Sequence, residues 1–214
     1  MKYLFTVLFG VLIASGAFAQ SDEQSQKILD KLSADIKALK SFSIDFNMHV
    51  KNSTTGENSN QKGKGHVQGD KYNATLGDNE IISNGIKIWT VVKEEKVVYQ
   101  SDADEDEEES INPKKLMTIW EEGFKNKYVK EDKLNNLPVH IINLYPTNPG
   151  EVQYHTITLY VGKGKNDLQK AIMKTKDGST ITYTIENFVK NPDLPNSKFV
   201  YDARKNPDYQ LIRD

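Results

Sequence analysis

The stretch Ile81 to Val98, IISNGIKIWTVVKEEKVV, decides how this chain is read. It divides into strand, tight turn, strand, tight turn, strand. Asn84-Gly85 is a strong hairpin signal, because a type I′ turn needs positive φ at both central residues. Ile86 to Lys93 is rich in β-branched residues and holds Trp89, one of two tryptophans. Glu94-Glu95 makes a charged turn into Val97, Val98 and Tyr99.

The segments on either side repeat this style. Ser41 to Lys51 alternates: Phe42, Ile44, Phe46, Met48 and Val50 face one way, and Ser43, Asp45, Asn47, His49 and Lys51 the other. Period-two alternation of this length predicts a strand. Asn52 to Lys62 is polar and contains glycine, and reads as a loop or long hairpin turn. Gly63 to Gln68 and Lys71 to Leu76 make a hairpin around Gly69-Asp70. Further strands are predicted at Tyr128–Lys130, Leu137–Tyr145, Val152–Val161, Leu168–Lys176 and Ser179–Phe188. In the last of these Ile181, Tyr183 and Ile185 oppose Thr180, Thr182, Thr184 and Glu186. Lys198 to Tyr201 reads as a closing strand, with a partly ordered tail after it. About ten short strands joined by tight turns predict antiparallel sheet that curls or closes.

Two helices interrupt the strands. Asp22 to Leu39 places Ile28, Leu29, Leu32, Ile36 and Leu39 on one face. Ser21 or Asp22 can cap it, and Asp22 and Glu23 suit its positive end. Asn112 to Glu122 is the second, with Asn112 as cap, Pro113 in the first turn and Gly123 as stop. Its apolar flank is Leu116, Met117, Ile119 and Trp120.

The 214 residues suit one domain. Lys2, the apolar run Leu4 to Ala14 and Ala17-Phe18-Ala19 have the form of a secretory signal. Cleavage is expected after Ala19, leaving residues 20–214 as a single domain in a bacterial periplasm, or secreted. The apolar run is short for a membrane span. With no cysteine, packing rather than disulfides must stabilise the fold. The formal net charge is −2, without the basic stripe and interleaved aromatics of a nucleic-acid binder.

Catalytic signals are sparse. There is no thiol and no Gly-x-Ser-x-Gly elbow. His49, His66, His140 and His155 show no zinc-ligand spacing. Asp102, Asp104 and Asp106 resemble the start of a calcium loop, but Glu107 and Pro113 stand where that loop needs glycine and glutamate. Ser101 to Ser110 therefore reads as a solvated acidic loop. No enzyme activity, metal or cofactor is expected. Many strands with apolar inner faces suit either a packed core or a cavity for an apolar ligand.

The order of the pieces narrows this. A Ser41-Phe42-x-x-x-Phe46 strand follows the first helix. Then come Gly65-His66-Val67, Asn84-Gly85-x-x-x-Trp89, Val97, the proline-led Asn112-Pro113-Lys114-Lys115-Leu116-Met117, Asn187-Phe188 and Lys198-Phe199-Val200-Tyr201. This resembles the LolA family of periplasmic outer-membrane lipoprotein carriers over nearly the whole chain beyond Ala19. The resemblance implies an unclosed, strongly curved antiparallel β-barrel covered by helices acting as a lid. It implies an acyl-binding inner wall of Phe42, Ile44, Phe46, Met48, Trp89, Val91, Ile181, Tyr183 and Ile185, with Leu116, Ile119 and Trp120 from the lid. Helix Ile28–Leu39 would cover the remaining opening. Family members carry an Arg-Pro pair whose arginine latches the lid. Here the matching stretch is Gly69-Asp70-Lys71-Tyr72, and Lys71 offers a point charge in place of a bidentate fork.

The partners implied are acylated lipoproteins, an inner-membrane lipoprotein-releasing transporter and an outer-membrane receptor, with the protein as a monomer. The alternative is a lipid- or lipoprotein-sensing adaptor on the same fold.

Overall fold

The structure, a computed structural model, describes residues 22–103 and 117–213. Helix α1 (Glu23–Lys37) comes first. Its cap is Asp22, whose Oδ1 accepts from the Gln24 and Ser25 amides at 2.9 and 3.2 Å. Ser25, Leu29, Leu32, Ser33 and Ile36 form its buried stripe. Six strands follow: β1 (Ser41–Asn52), β2 (Asn58–Gln68), β3 (Lys71–Leu76), β4 (Asn79–Ser83), β5 (Lys87–Val92) and β6 (Val97–Asp102). Past residues 104–116 come β7 (Phe124–Leu134), β8 (Leu137–Pro146), β9 (Tyr154–Gly162), β10 (Leu168–Thr175), β11 (Ser179–Lys190) and β12 (Gln210–Arg213).

All twelve strands join one open, curled sheet in the order β12-β6-β5-β4-β3-β2-β1-β11-β10-β9-β8-β7. It is two antiparallel meanders joined where β1 pairs with β11. Every pairing is antiparallel except that of β12, which runs parallel to β6. The register fixes the two faces, because directly opposed residues share a side. Phe42, Val67 and Tyr72 stand opposite one another across β1, β2 and β3. They join Leu29, Leu32, Ile36, Ile142, Leu144, Ile157, Leu159 and Val161 in the main, inner core. Neighbours Ile81 and Ile82 on β4 belong to different clusters, Ile81 to the inner one and Ile82 to a second on the convex face.

Helix α1 lies across the inner face. Its first turn is tied to β7: the Ser25 hydroxyl donates to Asn126 Oδ1 at 2.6 Å, and Asn126 Nδ2 donates to Gln26 Oε1 at 2.6 Å.

Several expectations need correction. Asn58 to Lys62 is strand, not loop, since its backbone pairs with Lys51 to Asn47 although its side chains are polar. The Asn84-Gly85 turn is not type I′, because Gly85 (φ +87°) has left-handed φ and Asn84 does not. The Asn84 side chain instead accepts from the Ile86 and Lys87 amides at 2.9 and 2.8 Å. The described part of the second helix is a single 3-10 turn, Ile119–Glu121, ended near Gly123 at φ +76°. Its start, Leu116 and the acidic run from Asp104 lie outside the described residues. Lys198 to Tyr201 is not a strand: Asn196–Phe199 is a 3-10 turn that buries Phe199 completely. The described tail runs to Arg213 and includes β12, which covers the edge of β6.

Candidate functional site

Between the inner face of the sheet and the segment Met117–Trp120 lies a cavity lined by twelve side chains. Ile44 and Phe46 come from β1, Tyr183 and Ile185 from β11, and Leu168, Ala171 and Met173 from β10. Ile157 and Leu159 come from β9, and Met117, Ile119 and Trp120 close it from above. None of the twelve carries a charge. The non-protein space is about 810 Å³, part of it continuous with solvent.

Period two puts these residues together. Phe46 opposes Ile185, Tyr183 opposes Ala171, and Ala171 opposes Leu159. Room for the Phe46 ring comes from β2, where Gly63 stands directly opposite. A Cβ on Gly63 would lie 2.6 Å from Phe46 Cε1 and closer still to Cζ. Phe46 and Tyr183 meet with ring centroids 6.2 Å apart and tilted by 53°.

The covering segment is fastened to α1. The Trp120 indole N–H donates to the Ser33 hydroxyl at 2.8 Å, and this bond is buried. One turn along the helix, Lys37 Nζ lies 2.7 Å from Glu121 Oε1. That ammonium beside Glu121 holds its carboxyl below the usual glutamate range. With the Trp120 N–H engaged, the Tyr183 hydroxyl is the other polar side-chain group of the lining, and burial pushes its pKa up.

The structure brings Ile44, Phe46, Ile119, Trp120, Tyr183 and Ile185 together in the cavity wall. Phe42, Met48 and Ile181 share the inner face beside it. Phe42 stacks on Phe188 at 5.5 Å, Met48 opposes Tyr183, and Ile181 opposes Met173. Trp89 and Val91 are elsewhere. They pack with Ile82 and Val98 on the convex face, under Tyr201, Tyr209 and Leu211 of the C-terminal segment. Alternation is the reason: Trp89 opposes Ile82, whereas Ile81 is the β4 residue that reaches the inner core. Among the described residues Lys71 makes no bond to the covering segment. Its ammonium donates to Asn196 Oδ1 at 3.0 Å and so holds the C-terminal segment. The candidates missed in the sequence are Met117, Ile157, Leu159, Leu168, Ala171 and Met173. The alternation Thr156-Ile157-Thr158-Leu159-Tyr160-Val161 carries the signal for two of them.

One constellation off the cavity has the residue types of a catalytic triad. Ser43 Oγ lies 2.8 Å from His66 Nδ1. Asp45 is two residues on, but its carboxylate is held by Asn187 at 3.2 Å and Lys64 at 3.3 Å. It does not orient the imidazole as a triad requires. Among the described residues no helix is long and apolar enough to cross a membrane.

A family profile described as outer membrane lipoprotein carrier protein LolA matches residues 15–165. No curated protein sequence matches the chain. The fold is similar to that of a conserved protein from Thermus thermophilus, at TM-score 0.60 and 9% identity, covering 90% of this chain and 100% of that one. A LolA superfamily protein from Nitrosomonas europaea aligns at TM-score 0.44 and 12% identity, covering 82% and 97%. LprF from Mycobacterium bovis aligns at TM-score 0.48 and 14% identity, covering 82% and 98%. The curled sheet, the covered apolar cavity and a match over most of the sequence agree, and the chain belongs to the LolA family of outer membrane lipoprotein carrier proteins.

Proposed function

We propose that this protein binds the acyl chains of lipoproteins in the inner cavity and carries them through the periplasm from the inner to the outer membrane. The observation that supports this best is the charge-free cavity wall of twelve side chains under a fastened cover, in a member of this family. On this reading residues 1–19 are a signal peptide removed after Ala19. The partners are acylated lipoproteins, an inner-membrane releasing transporter and an outer-membrane receptor.

The physics of such cargo matches the site. An exposed acyl chain of ~16 carbons costs on the order of 12 kcal/mol in water at ~0.8 kcal/mol per methylene. A carrier must shelter most of that surface and still release it. Among the described residues, side-chain contacts of Trp120 with Ser33 and of Glu121 with Lys37 hold the cover to α1. Contacts of this kind can close a site and be broken again. The apolar inner face continues past the cavity through Met48, Val50 and Ile181, all half-buried, which gives a long chain further wall to lie on.

The test is native mass spectrometry of the protein purified gently from the periplasm, beside Phe46→Asp. A co-purifying acylated lipoprotein or lipid, absent from a folded Phe46→Asp variant, is the expected result. A bare polypeptide that also takes up no fluorescent acyl probe would overturn the reading. A bound lipid that never passes to acceptor membranes would favour a sensing adaptor over a carrier.

A further inference from the structure

Resting on that reading, we infer that Tyr183 makes the cavity selective for chains bearing a carbonyl group, by donating a hydrogen bond from its phenol to an ester or amide oxygen of the bound acyl group.

Three observations carry this. First, the wall offers almost nothing polar. Of its twelve residues only Trp120 and Tyr183 have a polar side-chain atom capable of donating, and Trp120 spends its N–H on Ser33 at 2.8 Å. Second, the Tyr183 hydroxyl has no hydrogen-bond partner among the described residues. Its ring is held instead by apolar neighbours: Phe46 at 6.2 Å between centroids, Met48 opposite on β1 and Ala171 opposite on β10. Tyr183 is half-buried and its hydroxyl keeps contact with solvent, so a bound chain that displaces that solvent removes its hydration unless the chain offers an acceptor. Third, Ala171, the register partner of Tyr183 on β10, lines the same cavity with a single methyl group.

The chemistry of the missing partner follows. A phenol donates well to a carbonyl oxygen. A carboxylate at that depth would be buried without a cation, since no lining residue is charged. The group that suits the position is therefore neutral, an ester or an amide, and an unsubstituted hydrocarbon would leave the hydroxyl unpaired. An ester belongs to a glycerol-linked chain and an amide to an N-acylated protein, so the two sources can be told apart by the linkage bound.

The experiment displaces the neutral dye N-phenyl-1-naphthylamine from the full chain with three probes of matched carbon number: methyl dodecanoate, N-methyldodecanamide and tridecane. Wild type is compared with Tyr183→Phe, which keeps the ring and removes the donor. Tyr183→Phe should weaken one or both carbonyl probes by about 3- to 10-fold, the range of a single neutral hydrogen bond, and leave tridecane unchanged. A larger loss on the ester points to glycerol-linked chains, and a larger loss on the amide to N-acylated protein. The carbonyl infrared band of the bound probe should lie at lower wavenumber in wild type and move back in Tyr183→Phe. Equal losses for all three probes would show a packing role and overturn the inference, as would unchanged affinities with an unshifted band. If wild type displaces the dye with none of the probes, the acyl-binding reading itself falls, and the inference with it.

Discussion

Gly63→Ala is the most informative single change, because its effect should reverse sign with the residue opposite. Gly63 sits in strand conformation without positive φ, so alanine is compatible with its backbone. That removes freedom from the unfolded chain and contributes about 0.4–1 kcal/mol of stability. Against this, the new methyl would stand 2.6 Å from Phe46 Cε1 and closer to Cζ, whereas ordinary contact begins at 3.4 Å. The ring must retreat by about an ångström, and overpacking of this kind costs about 1–3 kcal/mol. The cavity gives the ring somewhere to go, so the lower part of that range applies. Gly63→Ala alone should change stability by about 0–2 kcal/mol in the unfavourable direction, while the displaced ring occupies cavity space and weakens binding of an acyl probe. In a Phe46→Ala background the clash is gone and the same substitution should stabilise by about 0.4–1 kcal/mol. Urea unfolding of wild type, both single variants and the double variant measures the coupling directly. A coupling below about 0.5 kcal/mol would show that Phe46 does not rest over Gly63 and would refute the construction of the wall.

Two further outcomes follow from the geometry. Trp89→Ala removes a nearly buried side chain from the convex cluster and should destabilise by about 3–5 kcal/mol in urea unfolding, yet leave the acyl affinity of the folded protein unchanged. A loss of affinity in folded Trp89→Ala would return Trp89 to the cavity wall. The carboxyl of Glu121 is held below its ordinary 4.5 by Lys37, so the ion pair supports closure above that value and is lost as the pH falls through the lowered one. Release of a bound acyl probe, followed by stopped-flow fluorescence, should therefore quicken below pH 4.5, whereas Lys37→Met should release quickly at neutral pH as well. Release that is equally slow in both proteins and flat with pH would dispose of this contact as a fastening.

What local sequence determined is plain in particular residues. The cap at Asp22 and the stripe Leu29, Leu32, Ile36 are written within one helix, because capping and a 3.6-residue period are short-range effects. The alternation of Phe42 to Val50 likewise places Ile44 and Phe46 on one side of a strand before any partner is known. The order of such pieces was enough to suggest the family and its curled sheet. Alternation says only which residues of a strand share a side, not which side is inner. Trp89 therefore needed the register with Ile82, and the C-terminal cover over it, to be placed on the convex face. Residues 58–62 carry no apolar pattern and become strand only through backbone pairing with β1. The tail gains its strand from pairing with the edge of β6, and Lys71 gains its role from Asn196, 125 residues away. The sheet order brought β9 and β10 beside β11, and so Ile157, Leu159, Ala171 and Met173 into one wall with Tyr183. These are contacts between distant parts of the chain, and only the curled geometry of the whole sheet selects them.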